Sequence, residues 1–216
     1  MGQYYHPMLI DIEGKITLLN PHQYDNGLKL MEHSYIGNKL VNAVLGQIKE
    51  RPLRVAWIGD YSDEYDGSAY EKQFSQDVFM EFYNKAWGYD EITEDYITPF
   101  AHPEPMEYNV ESTGWYLVNH TMRCYIDMDA YILRNGWTEE WTDRRTQEVK
   151  KSVWCVSPLP LLTACGNGRG GGDYQDCFPD FNKVGTWAFD AIELTRDKHR
   201  GFKEVMYEFT EQREVS

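Results

Sequence analysis

The sequence predicts an α+β protein with a mostly antiparallel sheet, built from hairpins and accompanied by a few helices. Two pairs of β-like segments favour hairpins: residues 8–12 with 15–19, and residues 115–119 with 123–127, each pair joined by a short turn. Between the two pairs, residues 53–58 form an apolar run typical of a buried strand. The hairpins and this central run together define the predicted fold class.

One domain accounts for the whole chain, because 216 residues with 42% hydrophobic side chains suffice for a single sizeable core. Apolar residues at helical spacing from Leu40 to Ile48 predict a helix that ends before Pro52. Other segments are predicted from shorter patterns. They are a strand at 28–31, a short helix at 129–133, an exposed charged stretch at 136–151, a strand at 184–194 and a strand or helix at 202–209.

The two hairpins resemble each other, which raises the possibility of an internal repeat. Residues 8–11 and 16–19 correspond in type to residues 116–119 and 124–127. A true repeat predicts two similar β-units that share one sheet or pack face to face. Chance similarity between hairpins explains the same few identities almost as well.

The negative charge of the chain is concentrated in one segment. The formal net charge is −14, and residues 60–112 carry fourteen acidic and two basic side chains, a net charge of −12. This segment is also rich in aromatic residues, and Phe74, Val78 and Phe82 lie at four-residue spacing. We therefore expect residues 60–112 to form an inserted helix, over about 68–87, followed by a loop-rich stretch.

Two interpretations of this acidic insertion remain open. It is either an amphipathic helix with a solvated acidic face, or a surface that docks a basic protein partner, because acidic groups steer encounter and aromatic rings supply contact area. The residues expected to contact such a partner are Trp87, Tyr89, Asp90, Glu91, Glu94 and Asp95. The same charge argues against direct binding of nucleic acid.

The glycine-rich segment from Gly166 to Asp173 is the most unusual local feature. It matches the spacing of a dinucleotide-binding fingerprint, but no helix pattern follows it, and no Gly-Lys-Ser/Thr follows for a Walker-type phosphate loop. It could bind an anion through backbone N–H groups, or it could serve only as a connecting loop. The candidate ligand-binding residues are Gly168, Arg169, Gly170, Asp173, Asp60 and His120.

No pattern in the sequence indicates a cofactor or a metal. The acidic run after Asp60 fails as a calcium loop, because Ser62 and Gln73 would occupy the first and twelfth positions. The four cysteines contain no C-x-x-C pair and suit buried thiols in a reduced, cytoplasmic protein. No stretch has the length and apolarity of a membrane span.

Seven short strings resemble, in order, a family of small bacterial proteins without an assigned activity. The strings are Met1–Tyr5, Asn20–Tyr24, Gly27–Glu32, Ile58–Tyr61, Tyr116–Thr121, Pro158–Thr163 and Gly166–Asp173. Members of that family begin M-G-Q-Y-[YW] and carry R-G-G-G-D followed by W-A-x-D. This chain departs from the family pattern in its acidic stretch and at Phe189, where the resemblance implies glycine. The resemblance transfers no catalytic residue.

The sequence thus favours a non-catalytic protein that docks a basic partner through residues 60–112. One form of such a protein is an inhibitor encoded by a phage or mobile element, an expectation that rests on size and acidity. The alternative is a nucleotide- or phosphoester-binding enzyme, with phosphate held by Arg169, a divalent metal held by Asp60 and Asp173, and His120 as acid or base.

Overall fold

In the computed structural model, the described residues are 3–62, 76–88, 97–98, 101–166, 174 and 177–210. Within them, nine strands form one sheet and two more form a separate hairpin. The strands are β1 (Tyr5–Ile10), β2 (Ile16–Leu18), β3 (Leu53–Gly59), β4 (Ile97–Thr98), β5 (Tyr116–Asn119), β6 (Cys124–Asp127), β7 (Trp137–Thr142), β8 (Val149–Trp154), β9 (Ala164–Cys165), β10 (Ala191–Thr195) and β11 (Lys203–Glu204). The helices are α1 (Leu30–His33), α2 (Lys39–Gln47), α3 (Gln76–Trp87), α4 (Met128–Asn135) and α5 (Pro158–Leu162).

The predicted α+β class, with a mostly antiparallel sheet, is confirmed. The strand order is β11-β6-β5-β10-β3-β1-β2-β4, and β9 also pairs with β3. Only the pairs β11–β6, β4–β2 and β9–β3 are parallel among these strands. Both predicted hairpins are present, as β1–β2 and β5–β6.

The sheet has the same order and the same strand orientations when it is followed from either end. Its centre is the antiparallel pair β3–β10, in which Leu53 lies opposite Ile192. Each central strand is flanked by a hairpin, and each hairpin by a short parallel strand. The sheet therefore consists of two similar β-units related by an approximate two-fold axis within the β3–β10 pair. We place the axis between Leu53 and Ile192, because this placement matches β1 to β5 as the sequence comparison does.

The strand register agrees with the sequence comparison for the first strand of each hairpin and differs from it by one residue for the second strand. Ile10 lies opposite Arg54, and Val118 lies opposite Glu193. Because the two-fold axis relates Leu53 to Ile192, it relates Arg54 to Glu193 and Ile10 to Val118. The sequence comparison pairs Ile10 with Val118 in the same way. In the second strands it pairs Leu18 with Ile126, whereas in the sheet Leu18 lies opposite Met8 and Asp127 lies opposite Tyr116, so Leu18 corresponds to Asp127.

Each β-unit carries one insertion that the other lacks. Residues 60–96 connect β3 to β4, whereas the corresponding connection from β10 to β11 is residues 196–202. In the first unit Lys49 pairs in parallel with Leu194 just before β3 begins. In the second unit β9 makes the equivalent parallel pairing with β3, and residues 166–190 then intervene before β10. The first insertion, residues 60–96, contains most of the acidic segment 60–112, and the second contains the glycine-rich segment. The remainder of the acidic segment includes β4 and the buried Tyr108.

The core lies on both faces of the sheet, because side chains alternate along each strand. On one face, Val55 and Trp57 of β3 pack with residues of α2 and α5, such as Val44 and Leu159. On the other face, Ala56 and Ile58 of β3 pack under α3 through Tyr83 and Ala86. Each fully buried aliphatic or aromatic side chain contributes about 1.5–3 kcal/mol to folding. Because of this alternation, β3 contributes side chains to both core clusters, as does its neighbour β1.

The predicted helices form where their N-terminal caps and apolar faces coincide. Asn38 caps α2 by accepting a hydrogen bond from the N–H of Leu40 at 2.9 Å. Asp127 caps α4 by accepting from the N–H groups of Asp129 and Ala130. In α3, the described part of the predicted helix buries Tyr83 and Ala86 and leaves the acidic side chains outside, as expected of an amphipathic helix.

The predicted strand at 28–31 is wrong, because this segment enters the short helix α1. The carboxylate of Glu32 accepts a hydrogen bond from the backbone N–H of Lys29 at 2.9 Å, which stabilises the start of a helix. Lys29 retains only an isolated bridge to Tyr4. A single local cap therefore overrides the β propensity of Leu28 and Leu30.

Two predictions near the C-terminus need correction. The strand predicted at 184–194 begins only at Ala191 and continues to Thr195. The residues before it form turns, with Gly185 at φ +80° and Phe189 at φ +62°. In the segment 202–209, only β11 is a strand. The remainder is irregular yet fixed, since the N–H of Phe209 donates to Asn135 Oδ1 at 2.8 Å and the Phe209 ring is fully buried.

The charged stretch predicted to be exposed is the β7–β8 hairpin. Nearly all its side chains face solvent, including those of Trp141 and Val149. Trp154 contacts Tyr35 on the body of the protein, with ring centroids 5.7 Å apart. The hairpin is therefore anchored at its base and projects away from the main sheet.

Phe189 combines a left-handed backbone with a fully buried ring, and this combination predicts an unusual mutational result. Its φ of +62° is strained for a residue with a Cβ, whereas its ring stacks on Phe82 at 5.7 Å between centroids. We expect Phe189→Ala to lower the free energy of unfolding by about 3–5 kcal/mol. Phe189→Gly should be less destabilising than Phe189→Ala by about 1 kcal/mol, because glycine releases the strain.

Urea denaturation of both variants measures this difference. An alanine variant that equals or exceeds the glycine variant in stability would show that the left-handed conformation of residue 189 costs nothing.

Candidate functional site

The two insertions leave the sheet side by side at one edge. Because β3 and β9 are parallel, with Trp57 opposite Ala164 and Ile58 opposite Cys165, they end at the same edge. Gly59 is the last residue of β3 there and Asp60 follows it, while Gly166 follows β9. The carboxyl ends of adjacent parallel strands are a common location for ligand-binding loops in α/β sheets. The fold thus brings together the starting points of the acidic and glycine-rich segments.

Gly59 and Gly166 leave no space for a side chain, because both lie close to neighbouring atoms. A Cβ at Gly166 would lie 2.6 Å from Gln3 Oε1, and a Cβ at Gly59 would lie 3.1 Å from the carbonyl oxygen of Cys165. The Tyr5 hydroxyl donates to Gln3 Oε1 at 2.6 Å and fixes that side chain. Gly166 therefore has a packing role that is independent of any ligand.

Asp60 links the edge of the sheet to α3. Its Oδ1 accepts a hydrogen bond from the N–H of Tyr4 at 3.0 Å, and its carbonyl oxygen accepts from the Tyr83 hydroxyl at 2.8 Å. Asp60 is only partly exposed. These contacts give it a structural role at the beginning of the acidic insertion.

Most of the other predicted site residues lie outside the described part of the chain. This applies to the ligand-binding candidates Gly168, Arg169, Gly170 and Asp173, and to the partner-binding candidates Tyr89, Asp90, Glu91, Glu94 and Asp95. A direct approach of Arg169 or Asp173 to Asp60 stays a prediction.

Trp87, the remaining partner-binding candidate, packs inward. Its ring lies against His6 of β1, with centroids 4.6 Å apart and an interplanar angle of 67°. The side chain is therefore half-buried and attaches the end of α3 to the sheet. This contact reduces the area that Trp87 could offer to a partner.

His6 and His33 are neutral histidines in the core near this edge. Burial lowers the pKa of each from 6.5 to about 4. His33 Nδ1 lies 3.0 Å from the carbonyl oxygen of Gly27, and its Nε2 accepts a hydrogen bond from Trp57 Nε1 at 3.2 Å. Both histidines are thus satisfied structural groups.

Among the described residues, no cysteine belongs to a cluster of three or more metal-ligating side chains. Cys124, Cys155 and Cys165 are buried. Burial raises the pKa of the Cys155 thiol to about 12, so it stays protonated at neutral pH. They therefore act as small apolar core residues, as the sequence favoured.

His120 lies far from Asp60, so these two candidates do not belong to one site. The N–H of His120 donates to the carbonyl oxygen of Ala191, and Ala191 lies opposite Arg54 in β3. Asp60 follows Arg54 by six residues, about 20 Å along an extended strand. His120 and Asp60 are therefore too far apart to act at one catalytic centre.

His120 instead forms a cluster with Glu193 and His199. Glu193 Oε2 lies 2.7 Å from His120 Nε2 and 3.2 Å from His199 Nε2. Glu193 is nearly buried, whereas the side chains of His120 and His199 are 27% and 33% exposed to solvent. The three ligand-type atoms lie within 4.8 Å of one another, and they form the only such group of three or more among the described residues.

The sequence indicated only one member of this cluster. Glu193 is on β10 and His199 is on the loop 196–202 that folds back over it, while His120 follows β5. A Glu on a strand and a His six residues later do not form a recognisable ligand motif. Only the pairing of β5 with β10 reveals the set.

Comparison with models of protein families, with curated proteins and with solved structures finds no match for this chain. No helix in the described segments is long and apolar enough to cross a membrane. The site must therefore be interpreted from its own residues.

The buried neutral histidines predict a loss of stability in mild acid. Their folded-state pKa values lie below the unfolded value of 6.5, so the unfolded state binds more protons between pH 6.5 and about 4. Stability is fully present above pH 6.5 and declines as the pH falls through that window. At pH 5 each histidine should cost about 2 kcal/mol.

Urea denaturation at pH 7.5 and pH 5 tests this, with His33→Gln expected to reduce the pH dependence. The exposed His102→Gln is the matched control. If His33→Gln and His102→Gln show the same pH dependence as the unmodified protein, His33 does not cause the loss.

Proposed function

We propose that this chain is a binding protein that docks a basic protein partner through its acidic insertion, residues 60–112. One observation carries the proposal: residues 60–96 of this segment connect β3 to β4, whereas the second β-unit closes the corresponding connection with residues 196–202 alone. The insertion is thus an addition to a repeated scaffold. Additions of this kind, placed on a rigid sheet, are where binding surfaces usually occur.

The described part of the insertion supports an outward acidic surface. In α3, Tyr83 and Ala86 face the sheet, while Asp77 and Glu81 are exposed. Lys85 pairs with Glu81 one turn away, and it is one of only two basic residues in residues 60–112. A net charge of −12 on this segment creates a field that attracts a basic surface and accelerates encounter.

The contact area of such a surface would come mainly from residues other than Trp87, since its ring packs on His6. Tyr89 and the acids that follow it in sequence are the remaining candidates. An inhibitor that occupies the basic groove of another protein is one form that this interaction could take.

Charge reversal tests the docking proposal. We expect the triple variant Glu91→Lys, Glu94→Lys and Asp95→Lys to weaken binding to a polylysine-coated biosensor surface and to flatten the dependence of affinity on salt. The physical reason is that the variant removes attraction concentrated in the insertion, and screening by salt acts on that attraction.

The matched control places the same charge change elsewhere, at the exposed residues Glu13, Glu148 and Asp197. Both variants have the same net charge. Equal loss of binding in the two variants would mean that total charge, and not the insertion, governs the interaction.

A second candidate function is the binding of a phosphate-bearing ligand at the edge where β3 and β9 end. The observation that favours it is the adjacent departure of Gly59–Asp60 and Gly166 from two parallel strands. In this proposal the backbone N–H groups of the glycine-rich segment and the guanidinium of Arg169 bind the phosphate.

Thermal unfolding with ATP, ADP or inorganic phosphate tests this second candidate. A ligand present at about 100 times its dissociation constant should raise the unfolding midpoint by roughly 5–10 °C. Arg169→Ala should abolish the increase, while Arg144→Ala on the exposed β7–β8 hairpin should preserve it. A shift that survives in Arg169→Ala would assign the ligand to another site.

A further inference from the structure

We propose that His120, Glu193 and His199 form a binding site for a divalent transition metal, of which Zn²⁺ is the representative ion. This site shares no residue with the acidic insertion or the glycine-rich segment, and it lies about 20 Å along the sheet from Asp60, where the acidic insertion begins. Its evidence is the convergence of three ligand atoms of the correct types on one point.

The spacing of the three atoms fits a metal with little rearrangement. In a tetrahedral zinc site with bonds of about 2.0–2.2 Å, neighbouring ligand atoms lie about 3.3–3.6 Å apart. The observed distances from Glu193 Oε2 are 2.7 Å to His120 Nε2 and 3.2 Å to His199 Nε2. All three atoms lie within 4.8 Å of one another. Binding of the ion requires the 2.7 Å separation to lengthen by about 0.6 Å, a movement that side-chain rotation of Glu193 or His120 can supply.

The ligand types select the class of metal. Two imidazoles and one carboxylate suit Zn²⁺ and neighbouring transition ions, whereas Mg²⁺ and Ca²⁺ prefer all-oxygen sites. Glu193, which is nearly buried, supplies the negative charge. The partly exposed imidazoles leave at least one coordination position open to water or to an anionic ligand, as in zinc sites with three protein ligands.

The scaffold holds the ligands in place without the metal. His120 is fixed by the hydrogen bond from its N–H to Ala191 O at 2.9 Å, and Thr121 Oγ1 accepts from the N–H of Ala191 at 3.0 Å. The His199 ring stacks on Phe202 at 5.3 Å between centroids, and His120 meets the same ring edge-on at 5.7 Å. Phe202 therefore orients both imidazoles from one side.

The repeated fold shows that the cluster is not needed to build this part of the sheet. At the positions related by the two-fold axis, the first β-unit has Arg54 in place of Glu193 and Ile12 in place of His120. The Ile12 side chain is fully exposed, and Arg54 Nη1 donates to the carbonyl oxygen of Phe189. The first β-unit folds without these three residues. The sheet itself therefore does not require His120, Glu193 and His199 to lie together.

A metal-free explanation is that Glu193 accepts hydrogen bonds from the two imidazoles. That arrangement is what the cluster makes in the absence of an ion. The two explanations differ in what they predict for added metal, which makes them separable by direct titration.

The test is isothermal titration of the tag-free chain with ZnCl₂, together with titration by Co²⁺, whose visible absorption reports coordination. We expect one equivalent of Zn²⁺ to bind and Co²⁺ to produce tetrahedral absorption bands. His120→Gln, His199→Gln and Glu193→Gln should each weaken binding by more than the roughly 10–100-fold that a substitution outside the ligand set costs.

His102→Gln, at an exposed histidine elsewhere, is the matched control and should bind zinc as the unmodified chain does. Glu193 is nearly buried, so its variant risks unfolding; His199→Gln, on a loop and partly exposed, keeps the test decisive if circular dichroism is unchanged. Failure of the unmodified chain to bind Zn²⁺ at micromolar concentration, or equal binding by His199→Gln, would overturn the proposal.

Discussion

The antiparallel pairing of β3 with β10 is the interaction on which the rest of the structure depends. Through Leu53 and Ile192 it joins the two β-units into one sheet, and β3, like its neighbour β1, carries side chains into both core clusters. Because the strand register there is fixed, every outer strand takes a defined position on either side. The edge with the two insertions and the His-Glu-His cluster both derive their geometry from this pair.

The approximate two-fold symmetry separates what builds the sheet from what is added to it. Elements present in both units, such as the paired hairpins and the short parallel outer strands, are sufficient for the scaffold. The acidic segment, the glycine-rich segment and the cluster around Glu193 each occur in one unit only. These unmatched features are therefore the candidates for function, and they lie in two regions about 20 Å apart along the sheet.

Local patterns in the sequence predicted the elements whose signals are local. The hairpins, α2 and the central strand follow from alternation, apolar spacing and caps within a few residues. The strand predictions fail where a single side chain or a contact distant in sequence determines the backbone conformation. Glu32 converts a β-like segment into α1, and Phe189 takes a left-handed conformation because its ring fills the space beside Phe82. Periodicity alone contains neither piece of information.

By itself the sequence determined the fold class, the two hairpins, the position of the acidic charge and the presence of an unusual glycine-rich segment. Each of these depends on composition or short-range pattern. Only the tertiary structure decided that the two insertions start from the same edge, that His120 is remote from Asp60, and that His120 meets Glu193 and His199. Those relations depend on strand pairing between residues about 70 to 140 positions apart, and short-range sequence patterns carry no information about such pairing.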